Sequence, residues 1–101
     1  MGATQIELAG SKAHGHDAEL SVTTAVRAIF PPNERVRRAV VQVLDADVVF
    51  RDDGGTPTAT HGQVIPAGDI YVYDADRAAM ENFRVMAPTG TAKVRVAYYG
   101  I

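Results

Sequence analysis

The chain lacks cysteine and tryptophan, and aromatic residues make up only 7% of its 101 positions. Without cysteine it can form neither disulfide bonds nor a thiolate metal site, so a fold of this size must be held by packing or by association with neighbours. No stretch approaches the roughly 20 apolar residues that span a bilayer, and the N-terminus lacks a basic segment followed by an apolar run. We therefore predict no membrane partner and synthesis in the cytosol.

An excess of one charge is also lacking. Ten Lys and Arg residues oppose twelve Asp and Glu residues, for a formal net charge of -2. A nucleic-acid-binding domain normally concentrates positive charge on one face, so this balance argues against direct nucleic-acid binding. The length fits one domain with a single core, and we expect its partner to be another protein.

What the chain does contain is alternation of apolar and polar residues, which is typical of half-buried β-strands. The first such segment, residues 19–30, ends at Pro31-Pro32, because proline lacks a backbone donor. Residues 36–44 are rich in valine and predict a second long strand. Further short strands are predicted at residues 48–51, 64–65, 70–73, 83–87 and 92–99, the last two as a hairpin around Pro88-Thr89-Gly90.

The segments between these strands are rich in Gly, Pro and Asp. Residues 52–58 predict a hairpin loop because an Asp-Gly-Gly run tolerates positive φ, and residues 66–69 predict a tighter turn. One short helix is predicted between Asp74 and Asn82, with an aspartate as its N-cap. These elements predict an all-β fold, an antiparallel β-sandwich or small barrel that is immunoglobulin-like or jelly-roll-like, with at most one short helix.

The N-terminal residues differ from the rest of the chain. They show only a short apolar alternation at Ile6 and Leu8, followed by a polar segment from Ser11 to Asp17. We predict an arm over residues 1–18 that adds a strand to a neighbouring subunit, and a single β-sandwich domain over residues 19–101.

Two groups of side chains could hold a metal ion. His14, His16 and Asp17, with His61 as a remote fourth ligand, depart from the paired spacings of structural zinc sites, so a solvated loop is the simpler interpretation. A set of aspartates could supply oxygen ligands to calcium, but aspartate also favours turns because it bonds nearby backbone amides. That set is Asp45, Asp47, Asp52 and Asp53. We predict no metal site and no cofactor.

Catalytic patterns are missing from the sequence. Ser11 and Ser21 lie in no nucleophile-elbow sequence, and a nucleophile needs an adjacent base. Carboxylate pairs such as Glu7 and Asp69 occur in any globular chain, so spacing alone assigns them no role. We predict no catalytic residues and a protein that is not an enzyme.

Tyrosines and arginines are the best candidates for contacts with a partner. Tyrosine is a common anchor at protein interfaces. Because Tyr98 and Tyr99 point to opposite faces of their strand, a single buried face cannot hold all four tyrosines. The arginines after Pro-Pro-Asn lie in an acidic chain without an aromatic platform, which favours pairing with acidic groups of a neighbour. The predicted interface residues are Ile6, Leu8, Arg35, Arg37, Tyr71, Tyr73 and Tyr99.

Five segments follow one another in the second half of the chain: the strand Val48-Val49-Phe50-Arg51, the run Asp-Gly-Gly-Thr-Pro-Thr at 53–58, the turn Pro66-Ala67-Gly68-Asp69, and residues 82–85 and 91–99. Their order resembles that in small structural proteins of tailed bacteriophages, and the resemblance covers roughly residues 36–101. It implies a non-enzymatic β-rich virion protein, made in the host bacterial cytoplasm. Most often such a protein is a head decoration or cement protein, present in many copies or as a homo-oligomer and bound to the major capsid protein or other virion proteins.

Two alternatives stay open. The same resemblance fits a tail, neck or fibre component. The Asp-Gly-Gly-Thr-Pro-Thr run is also similar to a turn in immunoglobulin-like domains attached to bacterial carbohydrate-active enzymes. This second resemblance implies a carbohydrate-binding or receptor-binding module, in which Tyr71, Tyr73 or Tyr99 would stack on sugar rings.

Overall fold

The computed structural model describes residues 12–30, 35–74 and 76–101. Within these ranges the chain forms strands joined by turns and one short helix, which confirms the predicted fold class. The elements are β1 (Lys12–His16), β2 (Leu20–Val22), β3 (Val36–Val43), β4 (Val48–Arg51), β5 (Gln63–Ile65), β6 (Ile70–Asp74), α1 (Arg77–Asn82), β7 (Arg84–Met86) and β8 (Ala92–Gly100).

The strands form two antiparallel sheets. In sheet A, β3 and β8 are central, β6 pairs with β3 on one side, and β1 and β2 both pair with β8 on the other. In sheet B, β4 lies between β5 and β7. The sheets pack against each other around one apolar core, so the predicted β-sandwich is confirmed.

Alternate residues of the long strands build the core. On β3 and β8 the inward positions carry small or β-branched side chains such as Val41 and Val96, which fit a pleated surface. Aromatic rings fill the centre: Phe50 of β4 stacks on Phe83 with ring centroids 4.7 Å apart, and Phe30 lies 4.4 Å from Phe83. This packing holds the two sheets together.

The predicted helix is present as α1, with the predicted kind of cap. The Asp76 side chain accepts a hydrogen bond from Ala79 N at 2.9 Å, which satisfies a donor of the first turn. α1 is one and a half turns long and buries Met80. In the described part of the chain, no helix has the length and apolar character needed to cross a membrane.

The predicted strand over residues 19–30 was wrong in its length. β2 covers only Leu20–Val22, and the chain then turns towards sheet B, where Arg27 and Val85 exchange backbone hydrogen bonds of 3.0 and 2.9 Å. Alternation indicates extended backbone but cannot show that the chain passes from one sheet to the other.

The predicted hairpin of the last two strands was also wrong. β7 pairs with β4 in sheet B, whereas β8 pairs with β3 in sheet A. The turn at residues 88–90 therefore connects the two sheets rather than two neighbouring strands. Both ends of this connection are apolar and buried, at Ala87 and Ala92, because each strand faces the same core from its own side.

The boundary of the predicted arm differs as well. Lys12–His16 forms β1 within the domain's own sheet, with Lys12 opposite Gly100 and His16 opposite Ala97. Residues 1–11, which include Ile6 and Leu8, lie outside the described residues, so a strand-donating arm there stays a prediction.

Candidate protein-binding surface

The outer face of sheet A, which points away from sheet B, carries a run of apolar side chains. Core residues of β3 and β8 point inward, so their neighbours point outward. The register then aligns the outward residues across the strands. We define the outer strip as Ile70, Val72, Val40, Ala97 and Tyr99.

The outer strip is most exposed at its β6 end, whereas Ala97 of β8 is buried. Val72 and Ile70 are 40% and 38% exposed, and Val40 and Tyr99 are half-buried. The Tyr99 ring stands edge-to-face against His16, with ring centroids 6.4 Å apart. Apolar side chains grouped on one face indicate a site that a partner covers, whereas scattered single apolar residues do not.

Charged side chains border the outer strip at both ends. Arg38 and Asp74 form an ion pair of 2.8 Å between β3 and β6. At the opposite end Glu19 lies 3.7 Å from Arg95. An apolar centre with a polar border is the usual anatomy of a protein interface.

A shallow depression of about 570 Å³ lies on the β8 side of this face. Its lining combines the Tyr99 ring with polar groups of His16, Gln42 and Arg95. Such a mixture accepts an apolar side chain of a partner protein or a polar ring such as a sugar.

The two edges of sheet A differ. We call the β1 and β2 side the closed edge and the β6 side the open edge, because no described strand pairs with the outer side of β6. Val43 N donates to Asp69 O at 3.0 Å, so Val43 and Asp69 occupy a hydrogen-bonded position of the ladder; the return bond to Val43 O comes from Gly68 N at 2.9 Å, as in a glycine bulge. Hydrogen-bonded pairs alternate along an antiparallel ladder, so the backbone groups of Ile70 and Val72 point away from β3.

The predicted interface residues do not form one cluster. Tyr99 belongs to the outer strip, where it is half-buried beside His16. Tyr71 lies on the inner side of β6 at the rim of the sandwich, where it is 38% exposed and its ring centroid is 5.5 Å from that of Phe50. Tyr71 is therefore accessible beside the open edge, but it does not share a face with Tyr99.

The predicted contact arginines lie at the start of β3. Arg35 is exposed just before the strand, and its carbonyl accepts a hydrogen bond of 3.0 Å from Ile101 N. Arg37 is half-buried at a bulge, where the register of β3 against β8 shifts. Both lie away from the centre of the outer strip.

Tyr73 is a core residue and not a surface contact, contrary to the prediction. It is 4% exposed, with its ring centroid 5.0 Å from Phe83 and 5.4 Å from Phe30. Its hydroxyl donates a hydrogen bond of 2.6 Å to Asp52 Oδ2. Burial, together with this bond to a carboxylate, raises the pKa of Tyr73 above its usual value of 10.0.

Tyr98 plays the matching part on β8. It is 5% exposed, its hydroxyl donates to the Asp17 carboxylate, and the same hydroxyl lies 2.9 Å from Ile29 O. Burial and the bond to Asp17 raise the pKa of Tyr98 as well. Tyr73 on β6 and Tyr98 on β8 are thus both buried, and each donates a hydrogen bond to an aspartate.

The histidines weighed as metal ligands do not come together. His14 Nε2 lies 3.0 Å from Ile101 O, and His16 packs on Tyr99, both at the closed edge. His61 lies after β4, with Nδ1 3.4 Å from Arg51 Nη1. Among the described residues, no three His, Asp or Glu side chains form a metal-binding group.

Three of the aspartates considered as calcium ligands each accept hydrogen bonds from a different part of the chain. Asp45 accepts from Lys93 N and Asp47 from Ala67 N, at 2.9 and 2.8 Å. Asp53 accepts two bonds from Arg51, of 3.0 and 2.7 Å, and one from Gly55 N. The Arg51 bonds, helped by Gly55, lower the pKa of Asp53 to about 2. These contacts match the turn-forming interpretation.

Sequence reasoning missed the aliphatic residues of the outer strip. The signal was present, because the strand Ile-Tyr-Val-Tyr at 70–73 is apolar on both faces. A strand at the edge of an antiparallel sandwich has only one face in the core, so its second apolar face must meet solvent or a partner. The prediction considered only the tyrosines of this strand as contact residues, so it missed Ile70 and Val72.

Comparison with known proteins adds little to this description. No protein-family model matches the chain, and no curated protein sequence matches it at a significant level. Among solved structures, the chain is similar to a protein of the Bacillus endospore appendages, described as disulfide-linked pili. The identity is 15%, the alignment covers 100% of both chains, and the TM-score is 0.35. A similarity at this level assigns neither a fold nor a function.

Proposed function

We propose that this protein is a non-enzymatic structural protein of a tailed-phage particle that binds the head lattice as a decoration or cement protein. The observation that carries the proposal is the outer strip, a partly exposed apolar surface with a charged border on the outer face of sheet A. The resemblance of residues 36–101 to phage structural proteins supports the choice of partner, the major capsid protein.

The mechanism is adhesion without chemistry. Each copy lays its outer strip against capsid subunits, which removes apolar area from water at about 25 cal/mol per Å². The sheet beneath the strip is preorganised by core packing, so little conformational entropy is lost on binding. Many such junctions add by avidity and help the shell to resist the pressure of the packaged DNA.

Co-sedimentation with capsids tests the proposal. The wild-type chain is expected to pellet with capsids at a fixed ratio to the major capsid protein. Val40→Lys places a charge at the centre of the outer strip and is expected to weaken this binding strongly. Val64→Lys is the matched control, because Val64 is 55% exposed on β5 of sheet B and lies far from the strip.

Two results would contradict the proposal. A wild-type chain that ignores capsids but binds tail or neck proteins would move the site of action to that part of the particle. Equal capsid binding by both lysine variants would show that the outer strip is not the contact surface.

A carbohydrate-binding role is the second candidate, and the depression beside Tyr99 favours it. The ring offers a stacking surface, and Gln42 and Arg95 supply hydrogen-bonding groups around it. Tyr99→Ala is the appropriate test variant, since Tyr73 is buried in the core. Specific glycan binding that is lost in Tyr99→Ala would support this role over the decoration role.

A further inference from the structure

We propose that two copies of this chain pair through their open edges, with the two β6 strands antiparallel about a two-fold axis that passes beside Tyr71. The pairing joins two copies of sheet A into one continuous sheet. It uses the edge of β6, whereas the proposed capsid contact uses the face of the sheet, so each can hold without the other.

From Ile70 to Tyr73 the described residues show none of the main devices by which monomeric proteins block edge pairing; a charged residue, Asp74, and a bulge at Gly68 lie only at the two ends of this segment. Such devices are lysine or proline on the strand, a β-bulge, or a covering segment. β6 reads Ile-Tyr-Val-Tyr-Asp and pairs with β3 without a register shift. Its residues Ile70, Tyr71 and Val72 are each 38 to 40% exposed. A flat, apolar edge of this kind is a template for another strand.

The other edges of the two sheets differ from the edge at β6. β1 has a bulge between Ala13 and Gly15 in its pairing with β8. In sheet B, the backbone of Arg27 bonds both ways with Val85, and Ala87 N donates to Thr23 O at 2.8 Å, so the outer edge of β7 is covered. β5, the outer strand of sheet B, also has no described partner on its outer side, but it is only three residues long, and a very short edge strand resists pairing. Among the described edge strands, β6 is the one that is neither three residues long nor interrupted by a bulge.

The sequence of β6 fits a copy of itself. An isologous contact requires that the same strand match itself in the reverse direction. When Tyr71 of one copy lies opposite Tyr71 of the other, Ile70 of each copy lies opposite Val72 of the other copy. All three pairs are apolar or aromatic, and pairs of this kind stabilise a sheet.

The backbone groups and the charges suit the same register. Ile70 and Val72 have outward-pointing N–H and C=O groups, and in this register each meets the other as a hydrogen-bonded pair that exchanges two bonds. Asp74, which is paired with Arg38 of its own chain, lies opposite Gly68 of the second copy. The two Asp74 carboxylates then stand at opposite ends of the ladder, about 20 Å apart at 3.4 Å per residue.

Engineered cysteines give a direct test because the chain has no cysteine of its own. Ile70→Cys and Val72→Cys are made in the full chain, one of them with an affinity tag that shifts its mass. They are mixed and oxidised under mild conditions. A hydrogen-bonded pair has Cα atoms about 5.5 Å apart, within the range for a disulfide. The expected main product is the disulfide-linked heterodimer.

Homodimers are expected to be about tenfold rarer, since like residues are displaced along the strands by two positions and their Cα atoms exceed the roughly 7 Å limit for bridging. Val64→Cys mixed with Val72→Cys serves as the control for random collision. Equal yields from all mixtures would overturn the pairing. A dominant Val72→Cys homodimer would overturn the register and place the axis at Val72.

The mass in solution provides the second measurement, free of any cross-link. Sedimentation equilibrium of the wild-type chain is expected to show a monomer–dimer equilibrium. Val72→Pro removes an N–H of β6 that points away from β3 and is expected to weaken the dimer at least tenfold, whereas Val64→Lys leaves the dissociation constant unchanged. A wild-type chain that stays monomeric at concentrations on the order of 1 mM would overturn the proposal.

Discussion

The closed and open edges of sheet A show two ways to end a sheet. At the closed edge, β8 is covered by two short strands, β1 and β2, that divide its length between them, and a bulge interrupts the first. At the open edge, β6 is one uninterrupted strand with exposed aliphatic side chains. The closed edge presents broken backbone ladders and charged side chains to solvent. The open edge presents a complete ladder, so the difference separates an edge that ends the sheet from one that can extend it.

The largest expected effect tests what anchors the open edge. Tyr73→Ala removes the one β6 ring that packs on both Phe30 and Phe83, and we expect a loss of about 3–5 kcal/mol of unfolding free energy. Tyr71→Ala is the matched control on the same face of the same strand. Because Tyr71 is 38% exposed, its truncation is expected to cost much less. Urea denaturation of both variants measures the difference, and equal losses would show that Tyr73 is not the anchor.

The second effect tests the close approach between β8 and the start of β3. A Cβ at Gly100 would lie 1.7 Å from Arg35 O, a backbone atom that cannot move without displacing the strand. We expect Gly100→Ala to cost about 1–3 kcal/mol or more. In Gly55→Ala the new Cβ meets only the flexible end of Arg51, so the cost is expected to be small. Thermal unfolding of the two alanine variants measures the difference, and a Gly100→Ala variant as stable as the wild type would contradict the expectation.

The third effect compares the two buried tyrosines, one near each edge. The pKa of Tyr73 and that of Tyr98 are both raised above 10.0 in the folded chain, so between pH 10 and the raised value the unfolded chain has lost protons that the folded chain retains. Stability is therefore unaffected below pH 10 and falls as the pH rises above it, by up to about 1.4 kcal/mol per pH unit for each tyrosine.

Phenylalanine variants measure how much each tyrosine contributes to this loss of stability at alkaline pH. Tyr73→Phe and Tyr98→Phe are each expected to flatten the decline in unfolding free energy measured between pH 9 and pH 11, and the double variant to remove most of it. A wild-type profile that stays flat above pH 10 would show that the hydroxyls are not held protonated by burial.

The smallest effect concerns the charges at the closed edge. Glu19 lies 3.9 Å from Lys93 Nζ and 3.7 Å from Arg95, and all three side chains are largely exposed. Exposed ion pairs contribute about 0–1 kcal/mol, so Glu19→Gln is expected to change stability by a few tenths at most and to leave the oligomeric state unchanged. A change in sedimentation behaviour with this variant would mean that the closed edge also takes part in association.

The strands themselves were predictable because alternation is a local property. The valine-rich run that forms β3 and the alternating run that forms β8 show their buried faces directly in the order of residues. The partner of each strand is not a local property. β7 and β8 follow each other after a Pro-containing turn, yet they belong to different sheets, and only the shared core decides this.

The candidate site was predictable in part, for a similar reason. Alternation showed that Tyr98 and Tyr99 face opposite sides, and Tyr99 does lie on the outer face. It could not show that Tyr73 lies deep in the sandwich while Tyr71, two residues earlier on the same face, lies at its rim. How deeply a residue of a strand is buried depends on where the opposite sheet ends, and the sequence of β6 alone does not show this.

The place of β8 in sheet A also has a kinetic consequence. All of sheet B lies within residues 48–86, whereas β1 and β2 pair only with β8, which comes after them by most of the chain. The strands of sheet B are therefore close together in sequence, whereas the residues of β1 and β2 pair with residues that lie 70 to 88 positions later in the chain. Pairing of such distant segments is slow because loop-closure entropy must be overcome before any contact forms. We therefore expect sheet A, and any assembly through that sheet, to be completed after sheet B.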